Sequence, residues 1–314
     1  MGVYILKRVL SAIPILFVVS VAIFSIIHLT PGNPASLLLG EDATSEQIND
    51  LSKKMGLNEP IYEQYLKWIG GALQGDLGES YFMGQSVMEA IKSHLGPTIS
   101  LAIIAEIIAL LISIPLGIIA AIKRGTTTDQ FVMVLSLMGM AVPSFLLAIF
   151  LALIVGVQFG WLPVVGYAPL EDGLWNHIKH LILPAISLGS IQAALIARMT
   201  RSSMLEVLDM NYIKMARSQG VKERTVIFHH AFKNAFLPVL TVIGATLGSL
   251  VTGSVVTETI FNIPGIGQLI INSIQRRDYS IIQGIVLFVT FAYVIVNLLI
   301  DLLYGFIDPR VRLK

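Results

Sequence analysis

The chain has 314 residues, of which 55% are hydrophobic and 13% charged, with a net charge of +1 and no cysteine; its mean hydropathy is +0.78. Soluble domains carry about a quarter charged residues, so a soluble reading fails, and the apolar residues arrive in long unbroken blocks. The near-neutral charge, with no basic run, excludes nucleic acid as a partner, and the lack of cysteine excludes disulfides, thiolate metal sites and cysteine nucleophiles.

In chain order, Lys7-Arg8 precede an apolar run from Val9 to Thr30. That run is longer than the apolar core of a signal peptide and stops at Pro31-Gly32-Asn33-Pro34, so it is read as a retained first spanning helix. Residues 31–96 hold nine acidic and four basic residues. Thr44 or Ser45 is expected to cap a helix through Leu51–Met55, and Pro60–Gly71 reads as an amphipathic stretch carrying Tyr62, Tyr65, Leu66 and Ile69. A small helical cap is expected there. About 20 apolar residues cross a bilayer core as a helix. With 9–30, the segments 97–122, 131–155, 181–197, 236–257 and 281–307 make six such spans, the fourth being the shortest. The chain then divides into 1–96, 97–307 and a tail, 308–314.

Orientation follows from lysine and arginine in the connections. With both termini inside, fourteen basic residues fall on the cytoplasmic side and seven outside. Residues 31–96 then lie outside.

Several kinds of chemistry have no signature. There is no G-x-x-x-x-G-K-[ST] phosphate loop, so this chain is expected neither to bind nor to hydrolyse ATP. No H-E-x-x-H occurs, and His229-His230 lack a third ligand at a workable spacing. No serine sits in a nucleophile elbow. A membrane enzyme needs clustered titratable residues in the spans, and only Glu106 and Asp301 are visible. Such carboxylates are functional candidates by default: Glu106 serves either the translocation path or a hydrogen bond to a neighbouring helix, and Asp301, near the cytoplasmic end, either that path or a solvated position or pairing with Arg310 or Arg312. His28, Gln158 and Trp161 read as interfacial. A secondary transporter would show two similar halves with broken helices, and no such duplication is evident.

The segment from Arg198 to Leu237 carries half of the inside basic residues. Asp209 or Asn211 is expected to cap a short helix in which Tyr212, Met215, Ala216 and Gln219 share one face, with Lys214 and Arg217 pointing elsewhere. Gly220 falls where a helix end needs positive φ. A second helix should start near Val221 and lie at the membrane surface. Further on, Glu258–Gln268 mixes Glu258 with Pro264, Gly265 and Gly267. It is read as a re-entrant outer gate, an interfacial loop being the alternative.

The run from Asn211 to Gly220, followed by Asn234-Ala235-Phe236-Leu237-Pro238, resembles the EAA loop of ABC importer permeases in the dipeptide, oligopeptide, nickel and glutathione family. Ala216 and Gly220 match; Lys214 and Met215 stand where the first two letters of E-A-A would. Tyr4-Ile5-Leu6-Lys7-Arg8, Gly56-Leu57 with Gln74-Gly75-Asp76-Leu77-Gly78, Phe261–Gly267, Arg277-Asp278-Tyr279 and Asp308-Pro309-Arg310 are similar to other patterns of that family, in the same order. The resemblance implies an all-α membrane protein with six transmembrane helices, the transmembrane domain of a type I importer. It implies a second homologous permease subunit, two ATP-binding subunits using ATP and Mg, and an extracytoplasmic substrate-binding protein. It also implies a place in the bacterial inner membrane, lipid around the helices and no cofactor on this chain. Asn211, Tyr212, Met215, Ala216, Arg217 and Gly220 would then couple to the ATPases. Glu106, Glu258, Pro264, Gly265 and Gly267 would line the path or its gate. The expected cargo is a di- or oligopeptide, with nickel complexes and glutathione as alternatives.

Overall fold

The computed structural model describes residues 2–29, 34–39, 43–54, 56–80 and 82–307. The Pro31-Gly32-Asn33 turn, Met55 and the tail 308–314 lie outside the described residues, as do the side chains of Lys7, Arg8, His28 and Asp301. The protein is almost entirely helical and forms two compact units, Met1–Gly96 with Gly265–Leu298, and Pro97–Pro264 with Leu299–Lys314.

The first unit contains α1 (Gly2–Leu29), α2 (Pro34–Leu39), α3 (Ser45–Lys54), α4 (Ile61–Leu73) and a hairpin of β1 (Glu79–Ser80) and β2 (Gln85–Ser86). It also takes the first turns of α5 (Val87–Ile122), all of α12 (Ile266–Arg276) and most of α13 (Tyr279–Ile307). Helix α3 opens on a capping box: Gln47 N donates to Thr44 Oγ1 at 3.3 Å and Thr44 N to Gln47 Oε1 at 2.9 Å. The cap is therefore Thr44, not Ser45. Helix α4 leans on α1 through aromatic contacts. Phe24 meets Tyr65 edge-on at 5.4 Å and Trp68 at 5.9 Å, and the Tyr65 and Ser20 hydroxyls are 2.9 Å apart. The expected face on α4 is corrected accordingly. Tyr62 and Leu66 are exposed, because the i, i+3 pair that meets α1 is Tyr65 and Trp68.

The Gln74–Gly78 turn is held by two glycines at φ +87° and by Asp76 Oδ1, which accepts the Gly78 N–H at 2.9 Å. It delivers Leu77 into a core with Val87, Ala90, Ile91, Ile266, Leu269, Ile281 and Ile285.

The second unit is built from the rest of α5 with α6 (Thr127–Ala141), α7 (Ser144–Leu151), α8 (Leu174–Leu208), α9 (Asn211–Ser218), α10 (Glu223–Thr225) and α11 (Lys233–Phe261). A π-helical stretch, Ala152–Gln158, extends α7, and another, Val226–Phe232, joins α10 to α11. Small residues let backbones approach, as is usual between membrane helices. A Cβ at Gly189 would stand 2.7 Å from the Ala105 carbonyl oxygen, and one at Gly117 would stand 2.7 Å from that of Ala197. Leu101, Ala102, Ala105, Leu181, Leu183, Leu188, Leu250 and Phe261 fill the space between α5, α8 and α11.

All six apolar segments fall on helices, but they are not six plain spans. Four helical stretches are long and apolar enough alone: Val87–Ile122, Leu174–Leu208, Glu223–Leu250 and Tyr279–Ile300. The segment 131–155 breaks. Helices α6 and α7 meet at 100°, because Pro143 has no N–H to continue the ladder and holds Val142 extended, at φ −81° and ψ 121°. The count reaches six if that pair and Gly253–Phe261 with Ile266–Arg276 are each one span. The fourth segment, expected to be the shortest, belongs to one of the longest helices, 35 residues. His177, Lys179, Arg198 and Arg201 interrupt its hydropathy without interrupting its backbone.

Candidate functional site

Helix α8 ends at Leu208 and the chain turns at once into α9. Neither expected cap is used. Asp209 ends α8 and points its carboxylate to Arg124 Nη1, 3.5 Å away. Met210 stands at the N-cap of α9 and Asn211 is its first helical residue. The side chain that fixes α9 is one the sequence reading passed over. Ile213 is fully buried among Ile118 and Ala121 of α5, Met204 and Val207 of α8, and Val226, Ile227 and Ala231 of the π-helical stretch. Ala216, one turn minus one residue later, packs half-buried against the same cluster. The expected face therefore divides. Ala216 turns inward with Ile213, while Tyr212, Met215 and Gln219 are exposed, Met215 to 60%.

The end of α9 is a complete Schellman motif. Gly220 N donates to Arg217 O at 3.0 Å, and Val221 N reaches back to Ala216 O at 3.2 Å. Val221 and Ala216 both pack on the cluster beneath, the apolar contact that accompanies this motif. Gly220 sits at φ +79° with no atom within 4 Å of where a Cβ would be. Backbone conformation, not crowding, is what requires glycine there. Arg217 is exposed and holds Glu223 through two hydrogen bonds, 3.2 and 2.7 Å. By accepting them, Glu223 raises the guanidinium pKa further above its ordinary value. Asn234 Nδ2 donates to the Tyr212 hydroxyl at 3.0 Å and to His230 O at 2.8 Å, bracing the exposed ring. The second helix of the loop is corrected too. From Glu223 it runs through the π-helical stretch straight into α11, so it is the start of a long helix and not a separate short one.

The buried carboxylates behave differently from one another. Glu106 on α5 is 5% exposed and faces the Thr246 side chain of α11. Glu258 is fully buried within α11, and its Oε1 accepts from Thr98 Oγ1 at 2.7 Å and Ser254 Oγ at 2.8 Å. It ties α5 to α11. The loop read as a gate is shorter than expected, with only residues 262–265 outside helices. Asn262 ends α11 in the left-handed region at φ 51°, and Gly265 is the N-cap of α12. Pro264 is exposed, and Gly265 and Gly267 are buried.

Two further groups stand out, and the second lies in the Arg277-Asp278-Tyr279 pattern noted above. Asp129, in the first turn of α6, is 4% exposed and takes a two-pronged contact from Arg201, which had been counted only as a loop charge. An acidic residue in a first helical turn was the available signal. Asp278, at the head of α13, is buried and accepts from the Ser80 hydroxyl and, at 3.4 Å, from Ile281 N.

Comparison with known proteins gives a concordant result. Residues 113–313 match the family model described as binding-protein-dependent transport system inner membrane component, and residues 1–102 match the model of its N-terminal part. The chain is 43% identical to the dipeptide transport system permease protein DppB of Alkalihalophilus pseudofirmus, over 98% of this chain and 99% of that one. It is 40% identical to a probable peptide ABC transporter permease protein, y4tP, of Sinorhizobium fredii, over 99% and 100%. It is 39% identical to the glutathione transport system permease protein GsiC of Shigella flexneri, over 99% of each.

Proposed function

Because the chain belongs to the family of binding-protein-dependent transport system inner membrane components, and so is the multi-pass permease subunit of an ABC importer, we propose that the α9 knuckle is where its ATPases dock and that its cargo is a di- or oligopeptide. The observation that carries the docking reading is the division of α9. One face is anchored by Ile213 while Tyr212, Met215 and Gln219 stand exposed. A short helix fixed from below, with a methionine and an aromatic ring outward, suits the groove of a partner.

In this reading the chain crosses the membrane six times with both termini inside, the arrangement that the two-to-one bias of basic residues favours. It pairs with a second homologous permease, receives cargo from an extracytoplasmic binding protein, and leaves ATP and Mg to the partner ATPases. Nucleotide shifts the balance of inward and outward arrangements through different contacts at α9 in each. Glu106, Glu258 and the Pro264–Gly267 stretch remain candidates for the path and its gate. The names of DppB and y4tP support peptide cargo, and that of GsiC makes glutathione, itself a short peptide, the second reading.

The docking test exploits the absence of native cysteine. A cysteine at Met215 should crosslink to an ATPase subunit in the assembled complex, and one at Ile213 should not. In whole cells, a cysteine at Glu59 should label from outside and one at Arg217 only after permeabilisation. Crosslinking from Ile213 alone, or labelling of both sites from one side, contradicts the reading.

A further inference from the structure

Helix α9 is not attached to its bundle through α8 alone. The end of α5, the turn after it and the start of α6 meet α9 or the helix leading into it at three places. Outermost, Arg124 of that turn approaches Asp209 at the α8–α9 joint, 3.5 Å apart with both side chains well exposed, a contact of little strength. Below it, Ile118 and Ala121 in the last turns of α5 share a core with Ile213. The third contact is that of Asp129, in the first turn of α6, with α8. Arg201 of α8 places Nε 2.6 Å from its Oδ1 and Nη2 2.7 Å from its Oδ2, and Gly125 N donates to Oδ2 at 3.0 Å. Beside this pair α5 touches α8 directly, for a Cβ at Gly117 would stand 2.6 Å from Thr200 Cβ.

We propose that Asp129 and Arg201 form the joint that carries movement of α9 into α5 and α6, so that the adjoining ends of α5, α6 and α8 travel with the knuckle as one piece. The inference rests on the docking reading above. Its physical basis is geometric. Apolar contacts between helices permit sliding, whereas two parallel hydrogen bonds from a planar guanidinium fix both distance and angle. A buried ion pair adds little net stability compared with well-packed apolar residues, and its best-attested use is to set the register of the elements it joins. Here it joins the α5–α6 turn to the helix that ends in the knuckle. Asp129 and Arg201 are positioning residues in this account, since neither touches cargo or nucleotide.

The test uses the full complex, with spin labels on cysteines replacing Lys214 in α9 and Gln130 in α6. In the parent the label separation should stay the same with and without ATP. Arg201→Gln should retain its bound ATPases yet change separation when ATP binds. Its uptake of a labelled dipeptide per ATP hydrolysed should fall about two- to thirty-fold, the span that single positions contribute to coupling. Arg201→Lys keeps the charge but loses the fork and should fall between; if the glutamine variant fails to insert, the lysine variant is read by the same two measures. A separation that already changes in the parent overturns the joint alone, as does a glutamine variant with unchanged separation and unchanged uptake per ATP. A parent complex that recovers no ATPase overturns the docking reading and this joint with it.

Discussion

The α9 knuckle and the Ser80–Asp278 contact are both built from short motifs with a glycine or a turn beside a helix end, yet they treat their side chains in opposite ways. In the knuckle one residue, Ile213, is buried and most of the rest face outward. At the head of α13, Asp278 is buried, accepts the Ser80 hydroxyl, and stands next to Arg277 in a left-handed conformation. Two family-like motifs thus have two physical meanings. Where the motif's side chains are exposed and braced, as with Tyr212 held by Asn234, the residues are available to a partner. Where they are buried and satisfied, they hold the fold.

That contrast can be broken or sharpened by substitution, and the largest effect is expected on the buried side. Asp278→Ala removes the acceptor of the Ser80 hydroxyl proton, leaving that oxygen the Met83 N–H alone, and removes the cap of α13. Hydrogen bonds to a charged group contribute about 1.5–3 kcal/mol each, so the thermal midpoint in detergent and the inserted yield should both fall. An unchanged midpoint would remove the distinction drawn here. Next comes Ile213→Ala, which empties a fully buried site and should cost about 2–5 kcal/mol locally. Protease access at the α8–α9 joint should rise and ATPase co-purification should fall together. Met215→Ala should separate the two effects. A 60% exposed side chain leaves stability within about 0.5 kcal/mol, while affinity for the ATPases drops; a stability loss without an affinity loss would place Met215 in the fold instead. Lys222→Ala should be nearly silent by both measures.

Much of this was legible in the sequence, for reasons that can be named. Apolar runs of 20 residues and a glycine at a helix end are local signals: each run falls largely on helix, and Gly220 has the expected positive φ. The reading failed where the answer depends on a residue far away. Ile213 looked like one apolar residue among several, and only Ile118, Met204 and Val226 around it make it the anchor. The pairing of Asp129 with Arg201 spans 72 positions, and the acidic residue in the first turn of α6 does not by itself name its partner. Polar residues at the ends of α8 lowered its hydropathy and made the helix look short. Pro143 was a local signal that went unused, and it breaks the third apolar segment.

The claim on which the account turns is that the knuckle's shape, set by Gly220, is what the ATPases grip. A left-handed conformation costs a residue with a Cβ about 1–2 kcal/mol, and the open space around Gly220 means that valine there strains the turn without clashing. The direct measurement is the amount of ATPase co-purifying with Gly220→Val relative to the parent, at equal inserted permease. The account predicts near-normal insertion with most of the ATPase lost; full ATPase recovery with intact cargo-stimulated hydrolysis would contradict it.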